Sequence, residues 1–181
     1  MSIGTPLSGP VIKGRRTMFR ELRRKRQALS PEMCDTVLRR GTSGVLALAG
    51  DDGYPYAVPI SYLYDGGKLY FHCAKTGHKL DAITHNPKAS FCVIDQDRVV
   101  PEKYTSYYRS VIAFGTMRVL TGEAEMRAAI EKLAIKYAPE DTPEHRDLEI
   151  DREWSALCML EMSIDHLSGK EAKELVGAQN G

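Results

Sequence analysis

Two short glycine turns constrain this chain more than any other feature. Asp51-Asp52-Gly53 and Asp65-Gly66-Gly67 each sit between runs rich in apolar, aromatic and β-branched residues. Such turns join adjacent antiparallel strands, because glycine and aspartate accept the backbone angles that a tight hairpin needs. They predict three consecutive strands, at 44–50, 54–64 and 68–73. Further strands are expected at 89–94, at 105–120 with a bulge or bend at Gly115, and at 154–164.

Helices fall between these strands. Ser30-Pro31-Glu32 supplies an N-cap, a proline at the first helical position and an early acid, so a helix should run to Arg40 and stop at Gly41. A second is expected from Gly77 to His85, closed by Asn86-Pro87, with Leu80, Ile83 and Thr84 on one face. Residues 123–138 place Met126, Ala129, Ile130, Leu133 and Tyr137 at helical spacing. Ser168-Gly169-Lys170 reads as the opening of a short polar C-terminal helix. Residues 95–104, which are polar and contain Pro101, read as a loop, and 140–153 are charged and poorly patterned. Hairpin-linked strands with few helices predict an α+β fold built on an antiparallel barrel, not a doubly wound parallel sheet.

At 181 residues the chain is long enough for one domain with a substantial core. Four cysteines, Cys34, Cys73, Cys92 and Cys158, are scattered without CxxC spacing and read as reduced, mostly buried thiols. The N-terminus has no charged start followed by an apolar core, and no apolar run could span a bilayer, so the expected location is cytoplasmic. Net charge is +1, yet residues 13–26 hold Lys13, Arg15, Arg16, Arg20, Arg23, Arg24, Lys25 and Arg26 against Glu21 alone, a local charge of +7. Such a run fits either a basic arm lying on an acidic face of the chain's own dimer or a surface that binds nucleic acid or another polyanion; without aromatic interleaving or a reader motif, the arm is the reading taken and nucleic acid is not an expected partner.

Chemistry concentrates between Leu69 and Phe91. A strand there runs into Lys75, Thr76, Gly77, His78 and Lys79, which open a helix. Unpaired N–H groups, the positive end of the helix dipole and two lysines suit an anion; the alternative is an ordinary solvated strand-to-helix connection. The 54–64 strand carries Pro55 and Pro59, both odd-numbered, so the ladder on one side is broken twice. Such a strand is either a plain edge or a place where a flat ligand replaces a neighbouring strand. His72 could act as an acid–base group or sit as a satisfied core histidine. His72, Cys73, His78 and His85 match no standard metal spacing, so no metal site is expected. Neither GxGxxG nor GxxxxGK[ST] is present.

Taken together, several segments resemble a known family. They are Arg23-Arg24-Lys25, Gly53 through Tyr62, Leu69 through Ala74, Gly77-His78-Lys79-Leu80-Asp81, Asn86-Pro87, Tyr108 through Gly115, and His166 through Lys170. In order and spacing the chain is similar to the pyridoxamine 5′-phosphate oxidase-related split barrels that bind FMN, and within them to the 5-nitroimidazole reductase (Nim-like) branch. The resemblance implies a six-stranded antiparallel split β-barrel with flanking helices over residues 18–172, after a flexible basic lead-in at 1–17 and before a tail at 173–181. It also implies a homodimer with FMN at the subunit interface. Carried over by position, Val58, Pro59, Ile60, Ser61 and Tyr62 would line the flavin ring, with His72, Cys73 and Ala74 beside it. His78 and Lys79 would hold the phosphate, helped by Arg109 and Ser110, with Val111 next in line. The implied activity is an FMN-dependent oxidoreductase that passes electrons from a reduced nicotinamide or another reductant to a nitroimidazole-type or other small oxidised molecule, with His72 at the reactive centre. The alternative is a non-catalytic split barrel that holds flavin or haem.

Overall fold

A computed structural model of the chain describes residues 19–177. The lead-in expected at 1–17 and the last residues of the tail lie outside the described residues. Along the chain run α1 (Pro31–Arg40), β1 (Ser43–Ala49), β2 (Pro55–Ser61), β3 (Leu63–Asp65) and β4 (Lys68–Ala74). They are followed by α2 (His78–His85), β5 (Lys88–Val100), β6 (Thr105–Val119), α3 (Glu123–Tyr137), α4 (Pro143–Glu153) and β7 (Leu157–Glu171). The expected α+β class and antiparallel sheet are both present.

All pairings among the strands are antiparallel, in the order β2-β1-β5-β6-β7-β4-β3. There are seven strands and not six, because the strand expected over 54–64 breaks at Tyr62 into β2 and β3. That break explains the barrel. β2 and β3 are the two opposite edges of the sheet, yet Tyr62 alone separates them in sequence. Two residues of chain reach about 7 Å, so the sheet must curl until its edges meet. Tyr62 is wholly buried inside the curl, edge-on to Phe91, and its hydroxyl donates to the Leu38 carbonyl at 2.8 Å. Around it pack Val37, Leu46, Leu69, Phe71, Phe91, Val93, Val111 and Ala113.

A second core lies outside the barrel, where Ala129, Ile130 and Leu133 of α3 and Ile150 of α4 cover Leu157 and Met159 of β7. β7 is therefore buried on both faces from Leu157 to Met162, which is why Leu-Cys-Met-Leu is a continuous apolar run and not an alternating one.

Ser30 caps α1 as expected, its hydroxyl accepting the Met33 N–H at 3.2 Å. The Gly115 irregularity is also present: the β6–β7 register shifts between Phe114 and Gly115, and a Cβ at Gly115 would lie 2.1 Å from the Ser163 carbonyl oxygen. Three expectations need correction. Residues 95–104 are not a loop. β5 continues through a bulge at Asp95 to Val100 and pairs with the start of β6, forming a long hairpin arm. Its polar composition misleads because much of the arm has one face open to solvent. Residues 143–153 form α4, capped by the Thr142 hydroxyl on the His145 N–H at 3.2 Å. Arg127 of α3 ties α4 down by reaching Asp147 at 2.9 Å and Asp151 as well. Finally, Ser168-Gly169-Lys170 opens no helix. It continues β7 against Ile112, Val111 and Ser110, where Gly169 passes beneath Cys34 and Leu29 too closely to carry a Cβ.

All four cysteines are free, two buried and two half-buried. No helix among the described residues is long and apolar enough to cross a membrane.

Candidate functional site

β3 pairs with only the first three residues of β4, so Phe71 to Ala74 have no strand on that side. β2 is the other open edge. Its pairing with β1 accommodates both prolines, and since alternate N–H groups point the same way, Ala57 shares the direction of Pro55 and Pro59. The barrel is therefore split between β2 and the end of β4.

α2 begins at this split. Gly77 precedes it with φ +126°, a conformation that only glycine adopts without strain. The first helical carbonyl bonds go from Leu80 and Asp81 to Gly77, leaving the N–H groups of His78 and Lys79 without backbone partners. A cleft of about 220 Å³ opens here, walled by Tyr56, Cys73, Thr76, His78 and Lys79. Lys75 and Lys79 make no ion pair or hydrogen bond among the described residues. The turn thus presents two uncompensated ammonium groups and a helix N-terminus, which suits a phosphate-sized dianion.

His78 is already engaged. Its ring stacks on Tyr56 of β2 at 4.1 Å, and its Nε2 lies 3.4 Å from the Asp51 carboxylate. This contact closes the split at one end, from α2 on one side to β2 on the other. Tyr56 and Asp51 escaped the sequence reading. The signal for Tyr56 was its place on the inward-facing, even-numbered side of β2.

His72 faces outward on β4, opposite Met159, and is exposed, not a core histidine. Partial burial and the nearby Lys79 charge lower its pKa below the ordinary histidine value, so at neutral pH the ring is uncharged. Cys73, directly opposite Cys158, turns inward, where burial pushes its thiol up to about 11 and makes it a poor nucleophile. Ala74 is exposed at the end of β4.

On β2, Pro59 is exposed and Ser61 half-buried, while Val58 and Ile60 turn their side chains toward the core. Tyr62 and Val111 are wholly buried in the barrel, so their side chains are closed to any ligand and only their main chain remains available. Arg109 also departs from expectation. It is buried and ion-paired, at 2.9 Å to Glu171 and 3.5 Å to Asp95, with Asp95 held in turn by Arg40 at 2.5 Å. A guanidinium so paired is not free for a phosphate. Arg109 and Ser43 line the same surface hollow, at the start of β1. α2 packs near the other end of β1, whose seven residues span about 20 Å at roughly 3.3 Å each. The single chain therefore brings together His72, Cys73, Ala74, His78 and Lys79, but not Arg109, Ser110 and Val111. Among the described residues no group of three or more metal-ligating side chains is placed to hold a metal ion.

A family model described as pyridoxamine 5′-phosphate oxidase matches residues 30–171. The chain belongs to the pyridoxamine 5′-phosphate oxidase family. The matched span runs from the α1 cap to the end of β7, so it takes in the whole barrel and both sides of its split. Among solved structures, the fold resembles that of a candidate 5-nitroimidazole antibiotic resistance protein of Bacteroides thetaiotaomicron. That likeness has a TM-score of 0.70 at 16% identity over 80% of this chain and 86% of that one. It also resembles an FAD and haem binding protein of Mycobacterium smegmatis, with a TM-score of 0.66 at 24% identity over 86% and 80% of the two chains. A curated protein of Rhizobium meliloti, described as uncharacterised, is 36% identical over 69 residues; this stretch is 38% of this chain, which spans only 44% of that relative's length. At these identities the solved members of the family inform on fold alone.

Proposed function

We propose that the protein is a flavin-binding oxidoreductase that uses FMN and works as a homodimer. The observation that carries this reading is the unpaired Lys75/Lys79 turn at the split of a barrel of this family. The FMN phosphate matches that turn in size and charge, with Lys79 and the His78 and Lys79 N–H groups as its partners. The flat ring matches the open β2 edge, where Ala57, Pro59 and Ser61 leave main-chain groups accessible beside small side chains. Flavin likenesses among solved structures of the same fold add support. When bound, the flavin supplies the electron chemistry, while the protein supplies position and electrostatics. His72, on the other lip of the split, orients the substrate or gives it a proton, its ring charging only below the ordinary histidine range. The electron donor in this reading is a reduced nicotinamide, and the acceptor is a small oxidised molecule of the nitroimidazole type.

The homodimer rests on two observations. Ser110 lies far from Lys79 within one protomer, so a site using both needs a second copy. The β5–β6 arm also exposes Ile94 at 64%, Val99 at 67% and Tyr104 at 99%, an apolar surface of the kind that partners cover.

The test is a visible spectrum of the purified protein, followed by turnover of the FMN-loaded form with a reduced nicotinamide against nitroimidazoles, quinones and pyridoxamine phosphate. Failure to retain added FMN overturns the reading. Retained FMN with turnover of another acceptor overturns only the nitroimidazole part. A Soret band on adding haem, with no flavin bound, establishes the alternative instead.

A further inference from the structure

The basic arm is not simply a solvated charge run. Its described part, residues 19–29, is pinned to the barrel at both of its ends. Phe19 stacks on His166 at 4.7 Å and touches Phe114 at 5.5 Å. Further along, Leu29 N–H donates to the Gly169 carbonyl at 3.0 Å, and Ala28 bridges to Lys170. Between these anchors, Arg20, Arg23 and Arg24 join Lys170 around a cleft of about 330 Å³. None of the three guanidinium groups has a hydrogen bond or ion pair among the described residues. Glu21 does not neutralise the cleft, because its carboxylate is taken by Lys25 at 2.6 Å. Lys170 is held over the Tyr108 ring at 5.4 Å. Four cations thus line one cleft in which the only acid, Glu21, is already paired, an arrangement whose repulsion an external anion relieves.

A second hollow, of about 420 Å³, adjoins this cleft and shares Arg20, Glu21 and Leu22 with it. Its walls are mostly apolar, formed by Leu22, Leu29, Pro31 and Leu167. A polyanionic head and a flat apolar body side by side describe a nucleotide. Phosphates attract forked guanidinium donors, and a base buries its faces against aliphatic walls.

We propose that this double cleft is a nucleotide site, with phosphates on Arg20, Arg23, Arg24 and Lys170 and the base in the adjoining hollow. It lies on α1, β7 and the arm, apart from the α2 turn. A concave, ligand-sized cleft beside an apolar hollow favours a small nucleotide over a nucleic acid strand, which needs a longer track of cations and stacking side chains.

Calorimetric titration of the full-length protein with ADP, adenosine and pyrophosphate at low salt tests the site. ADP should bind more tightly than either fragment. Arg23→Ala/Arg24→Ala should weaken ADP and pyrophosphate about tenfold or more, with adenosine little changed. Leu22→Asn, which adds no charge to the wall the two hollows share, should weaken ADP and adenosine and spare pyrophosphate. Lys79→Ala should leave ADP binding intact, and an unchanged melting temperature checks that each variant is folded. Absence of ADP binding by the wild type overturns the proposal, as does ADP binding that survives Arg23→Ala/Arg24→Ala or disappears with Lys79→Ala. ADP no tighter than pyrophosphate overturns the base hollow and with it the nucleotide assignment. Tight binding of a duplex oligonucleotide without ADP binding assigns the arm to nucleic acid instead.

Discussion

The hydroxyl of Tyr137, at the end of α3, accepts the backbone N–H of Tyr62 at 2.9 Å and donates to the Thr42 carbonyl. Tyr62 is the single residue that joins the two edges of the sheet. Its N–H has no ladder partner there, so a side chain from outside the barrel fills the vacancy. Lys136 adds a second tie, donating to the Tyr62 carbonyl at 3.0 Å from above the Tyr62 ring. Tyr137→Phe should therefore cost about 1–2 kcal/mol, the penalty of an unmet main-chain donor in a part-buried place. Urea denaturation measures it. A loss within a few tenths of a kcal/mol of zero shows that water replaces the hydroxyl.

Lys79→Ala should weaken FMN about tenfold to a hundredfold while leaving riboflavin nearly unchanged, because only FMN carries the dianion. Fluorescence titration of both ligands decides it. Equal weakening shows that Lys79 acts through the fold or the ring.

The buried carboxylate of Glu161 gives a pH prediction. It is 1% exposed and receives Arg118 at 2.8 Å and Lys68 at 3.0 Å. Burial pushes its carboxyl up, but those two cations outweigh burial and hold it below the ordinary value of 4.5. A depressed carboxylate contributes stability that is fully present above the unfolded pKa and is lost as pH falls through the folded one. Glu161→Gln should cost about 2 kcal/mol at pH 7, since a buried pair loses one partner while the other two groups keep some solvent. The gap from wild type should stay level above pH 5 and narrow below about pH 4.5. A gap that is constant down to pH 3 contradicts the assignment.

Ile94→Asp should leave the barrel folded and convert the proposed dimer to a monomer, since Ile94 is 64% exposed on the β5–β6 arm. Sedimentation reports the mass, and the visible spectrum reports flavin. Loss of dimer together with flavin fits a site shared between copies. A wild-type protein that sediments as a monomer and still retains FMN removes the shared site.

His72→Ala should preserve FMN affinity and flatten the acid limb of the turnover profile, because the ring of His72 charges only below the usual histidine range. Full activity with an unchanged profile shows that the exposed ring has no part in the chemistry.

Much of this fold was legible because its punctuation is local. The Ser30-Pro31 cap, the two glycine turns and the crowded Gly115 each act within a few residues and leave a direct trace in the sequence. Other features depend on distant partners. Thr142-Pro143 repeats the cap logic of Ser30-Pro31, but the helix behind it is charged, and its fixed point is Arg127 on another helix. Ser168-Gly169-Lys170 has the look of a helix start until β6 and Cys34 occupy the space around it. The α2 turn was readable as an anion site because dipole, glycine and lysines are neighbours in the chain. The commitment of Arg109 to Glu171 and Asp95, and the burial of Tyr62 and Val111, arise only when the sheet curls.

The two prolines of β2 also bear on how these molecules behave in a crowd. An unpaired strand at the lip of a barrel is a template onto which another chain can add itself, and sheets that grow this way end in aggregates. Pro55 and Pro59 withhold two donors from that edge, so an incoming strand cannot complete its ladder. A small flat molecule has no ladder to complete and pays nothing for the gaps. The same missing N–H groups that would leave room for a ligand therefore keep the open side of the barrel from recruiting its neighbours.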